Sequence, residues 1–147
     1  MENNQEKEAE TIRVLVVDDH PAVCQGLELL LEPEGIKVCA EAGGRAEALV
    51  CVEQCQPDIA LVDISLGDED GLALVADLSK RAVPVLVYSI HEDGRHVESA
   101  FAAGSLGYVT KQEAHKVLVS AICEVAACRR FISPRAAAAL DDHGAGA

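Results

Sequence analysis

Residues 12–17 read Ile-Arg-Val-Leu-Val-Val, an aliphatic run interrupted only by Arg13 and too short for a helix, which predicts a strand buried on both faces. A polar break, Asp18-Asp19-His20-Pro21, follows. Proline suits a first helical turn and Asp19 or His20 can cap it, so a helix is expected from Pro21 to about Leu31. The alternation then repeats. Gly35 precedes a strand at Ile36–Ala40. Gly43 and Gly44 turn the chain into a helix over Arg45–Gln54, whose apolar positions are Ala46, Leu49, Val50 and Val52, with Pro57 as its stop. Ile59–Val62 is a third apolar strand, ending at Asp63. An acidic loop from Ser65 to Gly71 leads into a helix over Leu72–Lys80, and Val83–Tyr88 reads as the fourth strand. A helix over Arg95–Ala103 stops at Gly104, and a short fifth strand, Gly107–Thr110, runs into Lys111. Val117, Leu118, Ala121, Ile122, Val125 and Ala126 then form one apolar stripe on a long helix expected over Ala114–Arg130. Beyond Pro134 the alanine and glycine content predicts a disordered tail, with a short helix over Arg135–Leu140 as the alternative.

Five strand-helix units with short connections imply right-handed crossovers and a parallel sheet. The expected architecture is α/β and flavodoxin-like, a five-stranded parallel sheet of order 2-1-3-4-5 with helices on both faces. The ligand site then lies beyond the carboxyl ends of the strands, near the switch between strands one and three. The chain shows no internal sequence repeat beyond this alternation. It divides into a polar, disordered leader at 1–10, one domain at 11–132, and a tail or truncated linker at 133–147.

Composition narrows this picture. A domain of 147 residues buries roughly 70% of its unfolded surface. With 50% of residues hydrophobic but only 3% aromatic, that core is built from Val, Leu, Ile and Ala, a supply suited to a parallel sheet under helices. The net charge of -13, from 25 acidic and 12 basic side chains, repels a phosphate backbone, so no direct nucleic-acid binding by this chain is expected. No apolar stretch is long enough to span a membrane and the first ten residues do not resemble a signal peptide, which gives a cytoplasmic reading. The six cysteines form no CxxC pair; reduced, mostly buried thiols are expected, and the spacing of Cys51 and Cys55 on one helix face is weak support for redox sensing. The five histidines are scattered along the chain and read as surface or loop residues, with no metal or phosphohistidine role.

The chemistry collects at the predicted strand ends. Strand one finishes in Asp18 and Asp19, strand three in Asp63, strand four in Ser89 and strand five in Lys111. Taken singly, each has an ordinary explanation: a helix cap, a turn, a loop hydroxyl, a surface charge. Together they place three carboxylates, a hydroxyl and an ammonium in one cleft. Clustered carboxylates call for a cation, and Mg²⁺ suits an all-oxygen set that includes substrate phosphate. Asp18 and Asp19 are then positioned to hold the metal while Asp63 attacks phosphorus. Lys111 neutralises the equatorial oxygens and Ser89 donates a hydrogen bond to one of them.

With VLVVDDHP at 14–21, QPDIALVDISLGDEDG at 56–71, VLVYSIHED at 85–93 and AGSLGYVTKQE at 103–113, the chain resembles the receiver domain of bacterial two-component response regulators, most closely the NarL/FixJ type, over about residues 12–134. The resemblance implies a CheY-like fold and a phosphoprotein acting in phosphorelay signal transduction and transcription regulation. By position it implies Asp63 as phosphoacceptor and Asp18 and Asp19 as the acidic pair at the metal, with the Ser65 backbone carbonyl completing the metal site. It also implies Lys111 as the phosphate-contacting lysine, and Ser89 and Tyr108 as the switch pair. Helix four, strand five and helix five become the output face. A sensor histidine kinase or phosphotransfer protein is the implied donor. Separately, the small residues Ala121, Ala126 and Ala127 on the stripe of helix five offer a homodimer contact, with packing against the core as the stronger reading of that stripe.

Two positions depart from the pattern: Gly67 stands where many relatives carry proline, and Gln112 follows Lys111 where a cis-proline often stands, so a trans bond is expected there. The NarL/FixJ resemblance also implies a helix-turn-helix domain after the receiver, and the sequence stops about where that linker begins. Two other readings compete. A haloacid dehalogenase-type phosphatase needs a second acid two residues after its nucleophile, where Ser65 stands, so turnover as an enzyme is not expected beyond self-catalysed transfer and slow autodephosphorylation. A phosphorylation-independent pseudo-receiver, acting as adaptor or dimerisation module, would lack part of the site, and every group is present.

Overall fold

β1, Ile12–Val17, is paired in parallel with β2 (Ile36–Ala42) on one side and β3 (Ile59–Val62) on the other. A computed structural model describes residues 11–65 and 71–145, excluding the side chains of 143–145. The leader at 1–10 and the acidic loop around Gly67 lie outside the described residues. β4 (Val85–Ser89) and β5 (Gly107–Thr110) complete the expected order 2-1-3-4-5. A two-residue sixth strand, β6 (Phe131–Ile132), extends the sheet by pairing with Gly107 and Tyr108 of β5. The peptide bond at Gln112 is trans, as expected.

Strand residues alternate between two apolar layers, as the period of a pleated strand requires. Leu15, Val17, Ala60, Val62, Val85 and Val87 meet α2 (Arg45–Cys55), α3 (Gly71–Lys80) and α4 (Gly94–Ala103). Val14, Val16, Ile59, Leu61, Leu86 and Val109 meet α1 (Pro21–Leu31) and α5 (His115–Ala126). Both faces are thus covered, and the polar ends of the strands are the exits from the core.

α5 is shorter than the apolar stripe suggests. It was expected to reach Arg130, but it closes after Ala126. Cys128 takes a left-handed φ of 63°. The Arg129 N–H donates to the Glu124 carbonyl and the Cys128 N–H to the Val125 carbonyl, both at 2.9 Å. This paired closure normally recruits glycine at the left-handed position, so a cysteine there hides the stop. The reversal sends the chain back along β5 as β6.

Beyond Pro134 the chain takes the helical alternative rather than the disordered tail: α6 (Pro134–Ala145) is longer than the helix considered over Arg135–Leu140. Ser133 Oγ accepts the Ala136 N–H at 3.3 Å and Glu113 accepts the Arg135 N–H at 2.8 Å, so two of the orphan donors at its start are satisfied. Ala136 is fully buried and joins Val97, Ala100 and Tyr108 in one cluster, with Ile132 and Leu140 packed beside it. Small alanines allow close approach to α4, so a composition that reads as loose chain serves here as a helix contact.

One buried polar atom is left over: Thr110 Oγ1, at the end of β5, has no hydrogen-bond partner among the described residues. An orphaned hydroxyl costs roughly 1 kcal/mol or more. Thr110→Val keeps the shape and removes the hydroxyl, so it is expected to stabilise the fold by about 1 kcal/mol. The check is a higher urea midpoint at unchanged slope; a lower midpoint shows that the hydroxyl has a stabilising role.

Candidate functional site

The parallel ladder delivers the acids to one place. Val17 is in register with Val62, so Asp18 and Asp63 follow equivalent positions on adjacent strands. Their amides continue the ladder: Asp18 N–H donates to the Ala42 carbonyl and Asp63 N–H to the Val17 carbonyl, each at 3.0 Å. Two strand pairs further on, between β4 and β5, the Lys111 N–H donates to the Ser89 carbonyl at 2.8 Å, which fixes where the lysine leaves β5. Its ammonium reaches back across the strand ends. Lys111 Nζ lies 3.0 Å from Asp63 Oδ2 and 3.3 Å from Asp18 Oδ2. Burial pulls the ammonium's pKa down, but the hydrogen bond and charge of Asp63, then those of Asp18, outweigh it and leave the pKa above the ordinary lysine value.

Each buried carboxylate uses its second oxygen in a local turn. Asp18 Oδ1 accepts the His20 N–H at 2.9 Å, and Asp63 Oδ1 accepts the Ser65 N–H at 2.8 Å. These side-chain turns hold both acids at the sheet edge. Asp19 joins through His20, whose Nδ1 lies 2.8 Å from Asp18 Oδ1 and 3.0 Å from Asp19 Oδ1. A hollow of about 240 Å³ opens beside Asp18 and Asp19, against Glu41 and Glu47. A larger one, about 380 Å³, lies near Gly35 and Ile36 at the opposite ends of the strands, away from these groups.

Ser89 and Tyr108 meet at a shared backbone. Ser89 Oγ accepts the His91 N–H at 3.1 Å, and the Tyr108 hydroxyl donates to the His91 carbonyl at 2.7 Å. Tyr108 is fully buried; burial pushes its phenol up to about 12, with a hydrogen bond to Ser89 pulling weakly the other way. The structure therefore brings Asp18, Asp63 and Lys111 into direct contact. It joins Asp19 through His20, Ser65 through its amide, and Ser89 with Tyr108 through the N–H and the carbonyl of His91.

Comparison with known proteins gives this arrangement a family. The family model for the response regulator receiver domain matches residues 14–123. The chain belongs to the response regulator receiver family. It is 38% identical over 133 residues to the DNA-binding transcriptional activator DevR/DosR of Mycobacterium tuberculosis, covering 88% of this chain and 61% of that protein. It is 33% identical over 132 residues to the response regulator GacA of Pseudomonas aeruginosa, covering 88% of this chain and 62% of that one. The chain thus spans about three fifths of the length of these curated relatives. Among solved structures, a LuxR-family two-component response regulator from Aurantimonas sp. superimposes with a TM-score of 0.87 at 33% identity, covering 92% of this chain and 99% of that one.

In this receiver domain the donor set of the acidic pocket fits a hard dication: Asp18, Asp19 and Asp63 present only carboxylate oxygens, against the single ammonium of Lys111. His20 is the residue that the sequence reading missed. The hydrogen bond to Asp18 and then the charge of Asp19 raise its pKa above the ordinary histidine value, so its imidazolium competes for the oxygens a dication would use. Mg²⁺ is therefore expected to lower the His20 pKa. By the same linkage, Mg²⁺ binding weakens as pH falls through the raised His20 value and is unaffected by this residue above it. An imidazole NMR titration with and without Mg²⁺ checks this, and an unmoved His20 curve rules the competition out.

Two of the receiver's other histidines also meet. His91 and His96 stack across the start of α4, with ring centroids 3.8 Å apart and planes 6° from parallel. The six cysteines are all free thiols, but they are not mostly buried as expected: Cys24 alone is buried, Cys39, Cys51 and Cys55 are partly exposed, and Cys123 and Cys128 are exposed, because four of them sit on helix or strand faces at the rim of the core or beyond it. Burial raises Cys24 to about 11 and pushes Cys39 and Cys51 up as well, which makes these three poorer nucleophiles. Close packing also sets where α3 begins. A Cβ on Gly71 would lie 2.6 Å from the Ile64 backbone, so only glycine lets α3 begin against the segment that carries the acid.

Proposed function

We propose that this receiver domain accepts a phosphoryl group on Asp63 and converts it into a change of surface at α4, β5 and α5. The observation that carries the reading is the Lys111 ammonium held against both Asp63 and Asp18, across three strand ends. Asp63 supplies the nucleophilic oxygen. That oxygen bonds to phosphorus as the donor's P–N or P–O bond breaks, and the leaving group departs with the electron pair and takes a proton from solvent. Lys111 offsets charge on the phosphoryl oxygens, and Ser89 donates a hydrogen bond to one of them. Mg²⁺ held by Asp18, Asp19, Asp63 and the Ser65 carbonyl would neutralise the remaining charge when bound.

Drawing Ser89 toward the phosphoryl group breaks its bond with the His91 amide. The carbonyl of the same residue accepts from Tyr108, so a change at the hydroxyl reaches the buried ring through a single residue. That coupling is the proposed switch. No acid stands two residues after Asp63, where Ser65 is found, so the chemistry is confined to self-catalysed transfer and slow autodephosphorylation. The proposed donor is a sensor histidine kinase or phosphotransfer protein, and the proposed output is transcription regulation through protein contacts, including a homodimer. The acidic surface disfavours direct contact with nucleic acid. Among the described residues no helix is long and apolar enough to cross a membrane, and cytoplasmic action is proposed.

Intact-mass analysis after incubation with a small acyl phosphate and Mg²⁺ tests the reading. One base-labile phosphoryl group per chain is expected, and chelation of Mg²⁺ is expected to stop its appearance. A stable adduct, or one on another residue, defeats the assignment.

A further inference from the structure

Outside the acidic pocket, the loop between β4 and α4 gathers a second set of donors. The ligand atoms of His91, Asp93 and His96 all lie within 4.8 Å of one another. We propose that these three residues bind a single imidazole-preferring transition-metal dication, of which Zn²⁺ is the best chemical fit. Two imidazoles and one carboxylate, with a water as fourth ligand, form an open zinc set, whereas Mg²⁺ prefers oxygen donors throughout. The inference goes beyond the phosphoacceptor reading and does not depend on Asp63.

The donors are held before any metal arrives. Asp93 caps α4 by accepting the His96 N–H at 3.2 Å, and its other oxygen meets His96 Nδ1 at 2.6 Å. His91 is fixed at three points: its amide on Ser89 Oγ, its carbonyl on the Tyr108 hydroxyl, and its Nε2 at 3.0 Å from Ser65 Oγ. The ring stack brings the two imidazoles together from either side of the cap. Ligands on a tetrahedral zinc stand roughly 3.3 Å apart, given bonds of ~2.0–2.1 Å. Reaching that spacing requires the two imidazoles to turn out of their parallel stack so that their nitrogens converge, and the side chains of His96 and Asp93 are 40% and 52% exposed, so an ion can enter. The dication takes the place of the proton shared by His96 Nδ1 and Asp93 Oδ1, which is released to solvent.

Such an ion cross-links the residue that holds Ser89 and Tyr108 to the first turn of α4. It therefore stiffens the segment that the phosphoryl switch has to move.

Co²⁺ serves as the visible probe, titrated into the full chain in excess Mg²⁺ so that the all-oxygen pocket is occupied. One Co²⁺ per chain with a low-symmetry visible absorption is expected, displaced by one equivalent of Zn²⁺. His91→Gln and His96→Gln are each expected to weaken binding at least tenfold, and Asp93→Asn, which keeps a capping oxygen, to weaken it less. His20→Gln is expected to retain the signal, because that ring belongs to the Asp18 and Asp19 cluster. Zn²⁺ is also expected to slow hydrogen exchange at the amides of His91 and His96. Loss of the signal in His20→Gln, its retention in His96→Gln, or no signal in excess Mg²⁺ each overturns the site.

Discussion

Asp63→Asn is expected to lose phosphorylation altogether while keeping the fold. The amide has the shape of the carboxylate, and its oxygen still accepts the Ser65 N–H that shapes the loop. What disappears is the nucleophile, because a carboxamide oxygen at neutral pH does not form an acyl phosphate. The expected drop in labelling rate is on the order of a thousandfold or more, down to background. Stability moves in the other direction or not at all. Asp18 and Asp63 share one ammonium, so neutralising one acid leaves the other with Lys111 to itself. Paired mass and urea measurements separate the two effects. A variant that still gains one phosphoryl group places the acceptor elsewhere, whereas one that fails to fold says that the charge at Asp63 is structural.

The parts of this site that were legible in the sequence are those where a buried run meets a polar residue. Val14–Val17 and Ile59–Val62 are almost purely aliphatic, and the first acid after each is where the ladder ends, so Asp18 and Asp63 follow from local pattern plus the rule for parallel sheets. Lys111 follows β5 by the same logic. Features decided by tertiary contact were not legible. β6 is two residues long and has no periodicity to read, and it exists because Cys128 turns the chain back along β5. α6 hides in an alanine-rich stretch whose value is close packing rather than hydrophobic bulk. The histidines looked scattered because the distance from His20 to Asp19, or from His91 to His96, carries no mark of which rings face each other. The link between Ser89 and Tyr108 passes through the backbone N–H and carbonyl of His91, and backbone groups have no sequence signature at all.

Lys111→Met is expected to damage both stability and chemistry, and the two losses respond oppositely to Mg²⁺. Methionine retains the length and apolar stem of lysine but leaves two carboxylates, 3% and 6% exposed, without their shared cation. Removing one partner from a buried charge set costs about 3 kcal/mol, so the metal-free variant is expected to unfold at a clearly lower urea concentration. Mg²⁺ should recover most of that loss, and recover more than it adds to the wild type, because no ammonium competes for Asp18 and Asp63. Phosphoryl transfer should remain depressed by about a hundredfold even with Mg²⁺ saturating, since the metal does not replace an ammonium aimed at the phosphoryl oxygens. The pH dependence gives an independent sign. The folded-state pKa of Lys111 is raised, so its contribution is complete below the ordinary lysine value and fades as pH rises through the higher folded one. Wild type should therefore lose stability at alkaline pH in a step that Lys111→Met lacks. A variant as stable as wild type without metal at neutral pH would mean that the lysine is a surface charge resting near the pocket, and the electrostatic account of the site would have to be abandoned.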